Sequence, residues 1–159
     1  MYQVRQARDS DLARILEIYD YARDFMAKTG NPNQWGKTNP PRKTLEADIS
    51  AGNLYVVEDE QIRGAFALFS EPDPTYAYIE DGSWLSDASY ATIHRVAADG
   101  SGGVFSVVLR FVEQRNPHVR IDTHHDNKVM QHILAKYGFS RRGIIYLTNG
   151  DPRIAYEKV

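Results

Sequence analysis

The chain has 159 residues, of which 42% are apolar, and this is enough for one hydrophobic core, so a single domain over residues 1–159 is predicted. A formal net charge of -2 argues against a nucleic-acid partner. The lack of cysteine excludes disulfides, thiolate metal sites and cysteine nucleophiles. No apolar run approaches the ~20 residues of a membrane span, and the first residues are charged where a secretory signal is apolar. We therefore expect a cytoplasmic protein with no membrane partner.

The first third of the chain predicts two helices separated by a loop. Apolar residues recur at helical spacing between Ser10 and Lys28, and Ser10 is a candidate cap for this helix. Pro, Gly and Asn residues then predict a loop over residues 29–41. Pro41 predicts the start of a second, shorter helix that ends at Gly52.

The middle of the chain predicts strands. The apolar runs Leu54–Glu58 and Ile62–Phe69 are joined by a short polar turn, which is typical of a β-hairpin. Residues near Tyr76 and the run Tyr90–Ala97 predict further strands, with a loop or bulge between them.

The second half alternates helices and strands. Apolar residues at helical spacing over Val104–Val112 predict a helix, although their β-branched side chains leave a strand as the alternative. Val119–Thr123 predicts a strand, followed by a helix that Asp126 caps and Gly138 ends.

The end of the chain predicts a hairpin. Asn149 and Gly150 form a strong turn signal between two strand-like runs. Pro152 is compatible only with the start of an edge strand. Together these elements predict a mostly antiparallel sheet whose strands are interrupted by two crossover helices.

A glycine-rich segment lies between the strand Tyr90–Ala97 and the helix that begins near Val104. A strand, a glycine loop and a helix in succession bring several backbone N–H groups and the positive end of the helix dipole to one point. The glycines at 100, 102 and 103 allow close approach of an anion, and Ser101 can donate a hydrogen bond or cap the helix. This arrangement suits a phosphate. The alternative is an ordinary glycine-rich turn without a ligand, since the segment is neither a Walker loop nor a complete dinucleotide fingerprint.

A second block follows the glycine loop: a strand, a helix with Asn127 near its start, and Tyr137-Gly138-Phe139 before the last strands. This order of elements resembles the GCN5-related N-acetyltransferase (GNAT) family over nearly the whole chain. The resemblance implies an α/β (α+β) fold with a central, mostly antiparallel mixed sheet, a splayed strand pair and about four flanking helices. It implies one acyl-CoA N-acyltransferase-like domain that transfers acetyl from acetyl-CoA to a primary amine of a small acceptor, by direct attack in a ternary complex. A homodimer is a further expectation from the resemblance.

The same resemblance implies which residues would hold acetyl-CoA. Backbone groups of Val96, Ala97 and Ala98 would hold the pantetheine arm, and Asn127 would help to fix the cofactor or its acyl end. The residues that would hold the pyrophosphate form the glycine loop and the helix start: Gly100, Ser101, Gly102, Gly103 and Val104.

The chain departs from the family pattern at two places. The loop opens with Asp99 instead of Arg or Gln, and an acid beside a pyrophosphate is unfavourable unless it points away. The position of the usual general-acid tyrosine, seven residues after the helix asparagine, is Leu134. Tyr137 stays a candidate acid, although the apolar stripe that it shares with Met130 and Ile133 favours a core position. These departures leave open a non-catalytic acyl-CoA-binding or sensing module, or a loop that binds another phosphorylated ligand such as a nucleotide.

The expected reaction also needs a base, because an alkylamine with a pKa of about 10 must lose a proton before it attacks. His94 can equally be a core histidine, and Asp122 can pair with Arg120 or cap the next helix. Glu80 can simply be a turn residue. The candidate bases are Glu80, Asp81, His94, Asp122 and His124. Of these, Glu80 and His94 are the preferred candidates.

The segment His118–Asp126 is rich in potential metal ligands. On a strand, however, His124 and His125 would point to opposite faces, and no known zinc pattern occurs. We therefore expect no metal.

Overall fold

The computed structural model describes residues 1–159 and contains one seven-stranded sheet. The strands are β1 (Gln3–Gln6), β2 (Leu54–Glu58), β3 (Ile62–Phe69), β4 (Ala91–Ala98), β5 (Val119–Thr123), β6 (Ser140–Tyr146) and β7 (Pro152–Lys158). The helices are α1 (Leu12–Lys28), α2 (Arg42–Ser50), α3 (Val104–Glu113) and α4 (Lys128–Lys136). The strand order is β1-β2-β3-β4-β5-β7-β6, and only β4 and β5 pair in parallel. The predicted fold class is confirmed.

Two hydrophobic cores lie on opposite faces of the sheet. The helices α1 and α2 cover one face, and α3 and α4 cover the other. Successive strand residues point to opposite faces, so Val56 packs in the first core and Val57 in the second, and both are fully buried. Burial on both faces explains why the central strands are continuous apolar runs rather than alternating ones.

The helix α3 forms in spite of its β-branched residues. Val104, Val108, Leu109 and Val112 are all buried on the sheet, so one face of the helix is apolar from end to end. Because most helical stability in proteins comes from such packing, it outweighs the mediocre propensity of valine. None of the four helices is both long and apolar enough to cross a bilayer.

The predicted caps of two helices, α1 and α4, are wrong, whereas α2 and α3 begin where the sequence predicted. Ser10 is exposed in a short 3-10 turn and does not cap α1, which begins at Leu12. Asp126 does not cap α4 either, because Asn127 does so: its Oδ1 accepts the backbone N–H of Met130 at 2.9 Å. No side chain caps α1, and the cap of α4 lies one residue after Asp126, a difference that periodicity alone does not resolve.

Two strand predictions need correction, and one strand was not predicted. The sheet begins with β1, which the sequence pattern did not indicate. The segment near Tyr76 forms a 3-10 turn over Pro74–Tyr76 instead of a strand. Pro152 does start β7, but this strand lies between β5 and β6 rather than at the edge.

A buried ion cluster fixes the long segment between β3 and β4 to the sheet. Glu157 on β7 is fully buried and accepts hydrogen bonds from Arg120 Nε at 3.1 Å and from His118 Nε2 at 2.5 Å. The Arg120 guanidinium lies between the rings of Trp84 and Tyr90, 4.0 Å from each centroid. Arg120 therefore pairs with Glu157, and the alternative pairing with Asp122 is not formed.

We expect Glu157→Ala to lower the free energy of unfolding by about 3–5 kcal/mol, because it leaves Arg120 and His118 buried without their anion. Burial opposes ionisation, but hydrogen bonds from Leu85, His118 and Arg120 outweigh it and lower the pKa of Glu157. A lowered pKa means that this contribution is present above the ordinary pKa of a glutamate and is lost as pH falls through the folded-state value. Urea denaturation from pH 7 downwards measures both effects.

The control for this measurement is Glu60→Ala, which removes an exposed carboxylate. It should change stability by less than about 0.5 kcal/mol. Equal effects of the two substitutions would contradict the role assigned to the cluster.

Candidate functional site

The central strands β4 and β5 separate after a short contact. They pair only through Ala91 with Val119 and Thr92 with Arg120. Beyond this point β4 runs on to Ala98 with no strand partner on that side. A V-shaped cleft therefore opens between the two strands, with backbone groups of β4 along one wall.

A β-bulge at the middle of β4 shapes this cleft. The register with β3 shifts between Ala65 and Ala67, and the extra residue on β4 is Arg95, whose φ of 53° is left-handed. Arg95 is held in this conformation by Asp48, which lies 2.7 Å from its Nη2, and by the Tyr19 hydroxyl, which donates to its carbonyl at 2.6 Å. Such strained residues persist only where several contacts determine them.

One cavity in the cleft, of about 490 Å³, is here called the glycine-loop pocket. Two of its glycines have positive φ, 94° at Gly100 and 80° at Gly103, and no side chain caps the start of α3. The first backbone N–H groups of α3 are thus open to a ligand. Most of the residues that the resemblance assigned to acetyl-CoA binding line this pocket: Val96, Ala97, Ala98, Gly100, Ser101, Gly103, Val104 and Asn127. The exception is Gly102, which is exposed and does not line it.

Asp99 does not line the glycine-loop pocket. Its carboxylate pairs with Arg14 at 2.9 Å and with Arg63 at 3.5 Å, and it accepts the backbone N–H of Ser101 at 3.0 Å. Burial alone would raise the pKa of Asp99, but the hydrogen bonds from Ser101 and the two arginines lower it. The acid therefore points away from the pocket and is neutralised on the other side of the loop.

A second cavity, of about 690 Å³, is here called the histidine pocket. It lies between β4, β5, β7 and the loop over residues 33–41, and His94 is part of its wall. The residues common to this pocket and the glycine-loop pocket are Met26, Val96, Asn127 and Met130. The two pockets therefore meet at the open end of the cleft.

His94 is oriented by a carboxylate. Its Nε2 lies 2.6 Å from Asp73, and its Nδ1 lies 4.0 Å from Asp122, which accepts the Tyr76 hydroxyl at 2.7 Å. Burial opposes ionisation of Asp73, but hydrogen bonds from His94 and Thr75 outweigh it and lower its pKa to about 2. The Asp73 carboxylate is thus ionised at neutral pH, and the pair has the geometry of a base and its orienting group.

The other candidate bases lie elsewhere. Glu80 pairs through its backbone with Ile144, and its carboxylate accepts the Tyr146 hydroxyl at 3.1 Å. Glu80, Asp81 and His124 line neither pocket. The structure therefore brings His94 and Asp122 together and leaves the remaining three outside the cleft.

The orientation expected for His124 and His125 is wrong. Their rings stack with centroids 4.2 Å apart, because β5 ends at Thr123 and both residues lie in the following turn. Donor atoms of His124, His125 and Asp126 lie within 4.8 Å of one another. However, His124 Nδ1 already accepts the Asp126 backbone N–H at 3.0 Å, and this cluster lies outside both pockets.

No family model and no curated protein matches the chain. A solved structure of a GNAT-family acetyltransferase from Streptococcus agalactiae 2603 is 32% identical, with a TM-score of 0.89 over 99% of this chain and 95% of that one. This chain belongs to the GNAT acetyltransferase family. It is an acyltransferase, and membership in a family of acetyltransferases supports acetyl transfer rather than a purely sensing module.

More distant structures share the GNAT fold. A putative acetyltransferase from Staphylococcus aureus Mu50 is 24% identical, with a TM-score of 0.69 over 98% of this chain and 97% of that one. A GNAT phosphinothricin acetyltransferase from Sinorhizobium meliloti, in complex with AcCoA, is 13% identical, with a TM-score of 0.64 over 99% and 87% of the two chains.

No tyrosine occupies the usual acid position of this GNAT acetyltransferase. Leu134 at that position is fully buried in the core beneath α4. Tyr137 is half-buried, packs on Phe105 with ring centroids 5.7 Å apart, and lines the glycine-loop pocket. It follows Met130 by two helical turns, about 10 Å along the axis, and so lies away from the meeting point of the pockets.

Three residues of the GNAT cleft were not predicted from the sequence: Gln34, Asp73 and Arg153. Gln34 Oε1 accepts the amide N–H of Asn127 at 2.9 Å, so both polar atoms of the Asn127 amide are used within the protein. Asn127 therefore positions α4 and the 33–41 loop. Arg153 was visible as a charged residue within a strand-like run, whereas Gln34 and Asp73 lie in loops that carry no pattern.

We expect Arg95→Gly to be more stable than Arg95→Ala, by up to about 1 kcal/mol, because glycine adopts the left-handed conformation without the penalty paid by alanine. Both variants lose the ion pair with Asp48 equally. The difference between their free energies of unfolding therefore reports the backbone conformation at position 95 alone. Urea denaturation of the two variants measures it. At an ordinary strand position the alanine variant would be the more stable of the two. That result would contradict the left-handed bulge at Arg95.

Proposed function

We propose that the protein transfers the acetyl group of acetyl-CoA to the primary amine of a small molecule, by direct attack in a ternary complex. The observation that carries the proposal is the meeting of the two pockets at Met26, Val96, Asn127 and Met130. A cofactor in one pocket and an acceptor in the other would bring their reacting ends together at this point. Holding two reactants in that way removes much of the entropic cost of their encounter.

The glycine-loop pocket fits acetyl-CoA, which supplies an activated acetyl thioester when bound. The free edge of β4 over residues 96–98 offers backbone groups to the pantetheine arm. The N–H groups of Gly100, Gly103 and Val104 and the positive end of α3 suit the pyrophosphate, whereas the Ser101 N–H already donates to Asp99. Arg14 and Arg63 hold the Asp99 charge away from it.

His94 is the base in this proposal. It lines the histidine pocket two residues before Val96, which lies at the meeting point of the pockets. Its imidazole takes a proton from the acceptor ammonium, and the ionised Asp73 holds the ring in place and stabilises the imidazolium. Glu80 has no such role, because it lines neither pocket.

The lack of an acid at Leu134 is compatible with catalysis. An ordinary thiol has a pKa of about 8.5, so a thiolate is a tolerable leaving group at neutral pH and water can supply its proton. Tyr137 forms part of the wall of the glycine-loop pocket in this proposal. Loss of its hydroxyl should therefore matter little.

Gly102→Val tests the cofactor site. A Cβ at Gly102 meets nothing within 4 Å, so we expect a stability loss below about 1 kcal/mol. Gly102 lies between Ser101 and Gly103, which line the glycine-loop pocket, so a branched side chain at this position should weaken acetyl-CoA binding at least about tenfold in calorimetric titration.

Gln114→Val, at the exposed far end of α3, is the control and should leave acetyl-CoA binding unchanged. Equal losses of stability and affinity in the Gly102 variant would count against the assignment. Titration with ATP tests the nucleotide alternative, and ATP binding as tight as that of CoA would favour it.

His94→Gln tests the base. We expect kcat/KM with the best acceptor from a panel of primary amines to fall about 10²–10⁴-fold at pH 7, while the Kd of acetyl-CoA stays unchanged. The deficit should narrow as pH approaches the pKa of the amine, because the acceptor then arrives already neutral. Tyr137→Phe is the matched control and should retain both turnover and pH profile. A deficit that does not vary with pH would contradict the role of His94.

A further inference from the structure

Arg153 on β7 is a buried cation in the wall of the histidine pocket. It is only 6% exposed, and no carboxylate forms an ion pair with it. Two of its N–H groups donate to backbone carbonyls, one to Pro152 at 2.9 Å and one to Gln34 at 3.4 Å. Since a guanidinium has five donors, most of them have no protein acceptor.

The other basic side chains of this pocket are already bound to carboxylates. Arg95 is bound to Asp48, and His94 is bound to Asp73. Burial lowers the pKa of Arg153, and the distant charges of Asp122 and Asp151 offset this only in part. A buried charge is costly without an anion, so the pocket contains one cation that lacks a counterion in contact.

The sheet places this cation beside groups that suit an amine. Asp122 on β5 lies opposite Ala155 on β7, and Arg153 lies two residues along the same face of β7. Such diagonal neighbours are roughly 7–8 Å apart. Asp122 in turn lies 4.0 Å from His94. The pocket thus has carboxylates and a base towards β4 and β5, and a free guanidinium on β7.

We propose that Arg153 binds a carboxylate of the acceptor, and that the acceptor is an amino acid whose amine faces His94. The inference rests on the proposed acetyltransferase function and names its substrate class. A guanidinium matches a carboxylate with two parallel hydrogen bonds. A phosphate fits less well, because its second charge would face Asp122 and Asp151 without a second free cation.

The test compares L-amino acids with their primary amides as acceptors, which replaces the negative charge that Arg153 would bind with a neutral group of similar size. With the wild-type enzyme, kcat/KM should be about 10- to 100-fold higher for the best amino acid than for its amide. Arg153→Gln should remove this preference, through a loss on the amino acid with the amide little changed. Arg153→Lys should retain part of the preference.

A binding experiment gives a second readout. Calorimetric titration of the CoA-saturated protein should detect the amino acid but only weakly its amide, and Arg153→Gln should abolish the difference. Unchanged affinity for CoA and an unchanged Tm would show that the variant is folded. If Arg153→Gln fails to fold, the wild-type comparison of acid with amide still decides.

The outcomes separate the two proposals. Amides and simple amines that are acetylated as well as amino acids would overturn the carboxylate site and leave the acetyltransferase function intact. Lack of turnover with any amine, in spite of acetyl-CoA binding, would contradict the proposed function, and the titration would still test the carboxylate site. If the amino acid and its amide bind equally well, or if neither binds, the proposed carboxylate site is overturned.

Discussion

The divergence of β4 from β5 is the constraint on which the site depends. The strands pair through Thr92 and Arg120 and then separate, so the far half of β4 keeps an unpaired edge inside the molecule. An unpaired strand edge normally needs cover. Here it forms a wall of the glycine-loop pocket, and the open end of the cleft is where this pocket meets the histidine pocket. Without the divergence neither pocket would reach the other.

The rest of the molecule holds that open geometry in place. The two hydrophobic cores pack against opposite faces of the sheet, and β3 pairs with β4 along the edge that faces away from β5. The bulge at Arg95 bends β4 within the cleft, and Asp48 from α2 holds it. The buried ion pair of Glu157 with Arg120 fixes the start of β5, where β5 still pairs with β4. Polar contacts thus define the shape that the apolar cores make stable.

The charges around the cleft are largely matched within the protein. Asp99 is neutralised by Arg14 and Arg63, so the acid in the glycine loop does not repel an anion in the pocket. Asp73 is committed to His94. Arg153 is the exception, and this contrast is the basis for the proposed carboxylate contact. A charge left without a partner inside a pocket is informative because burial makes it costly.

The sequence by itself determined most helices and strands, the glycine loop and the family, because local periodicity, turn residues and element order depend on neighbouring residues. It also pointed to His94 and to the loop residues of the glycine-loop pocket. Only the tertiary structure decided that Asp73 orients His94, that Asp99 turns towards Arg14, and that Arg153 lacks an anion. These contacts join segments far apart in the chain, so they depend on how the sheet is packed, which no local pattern records.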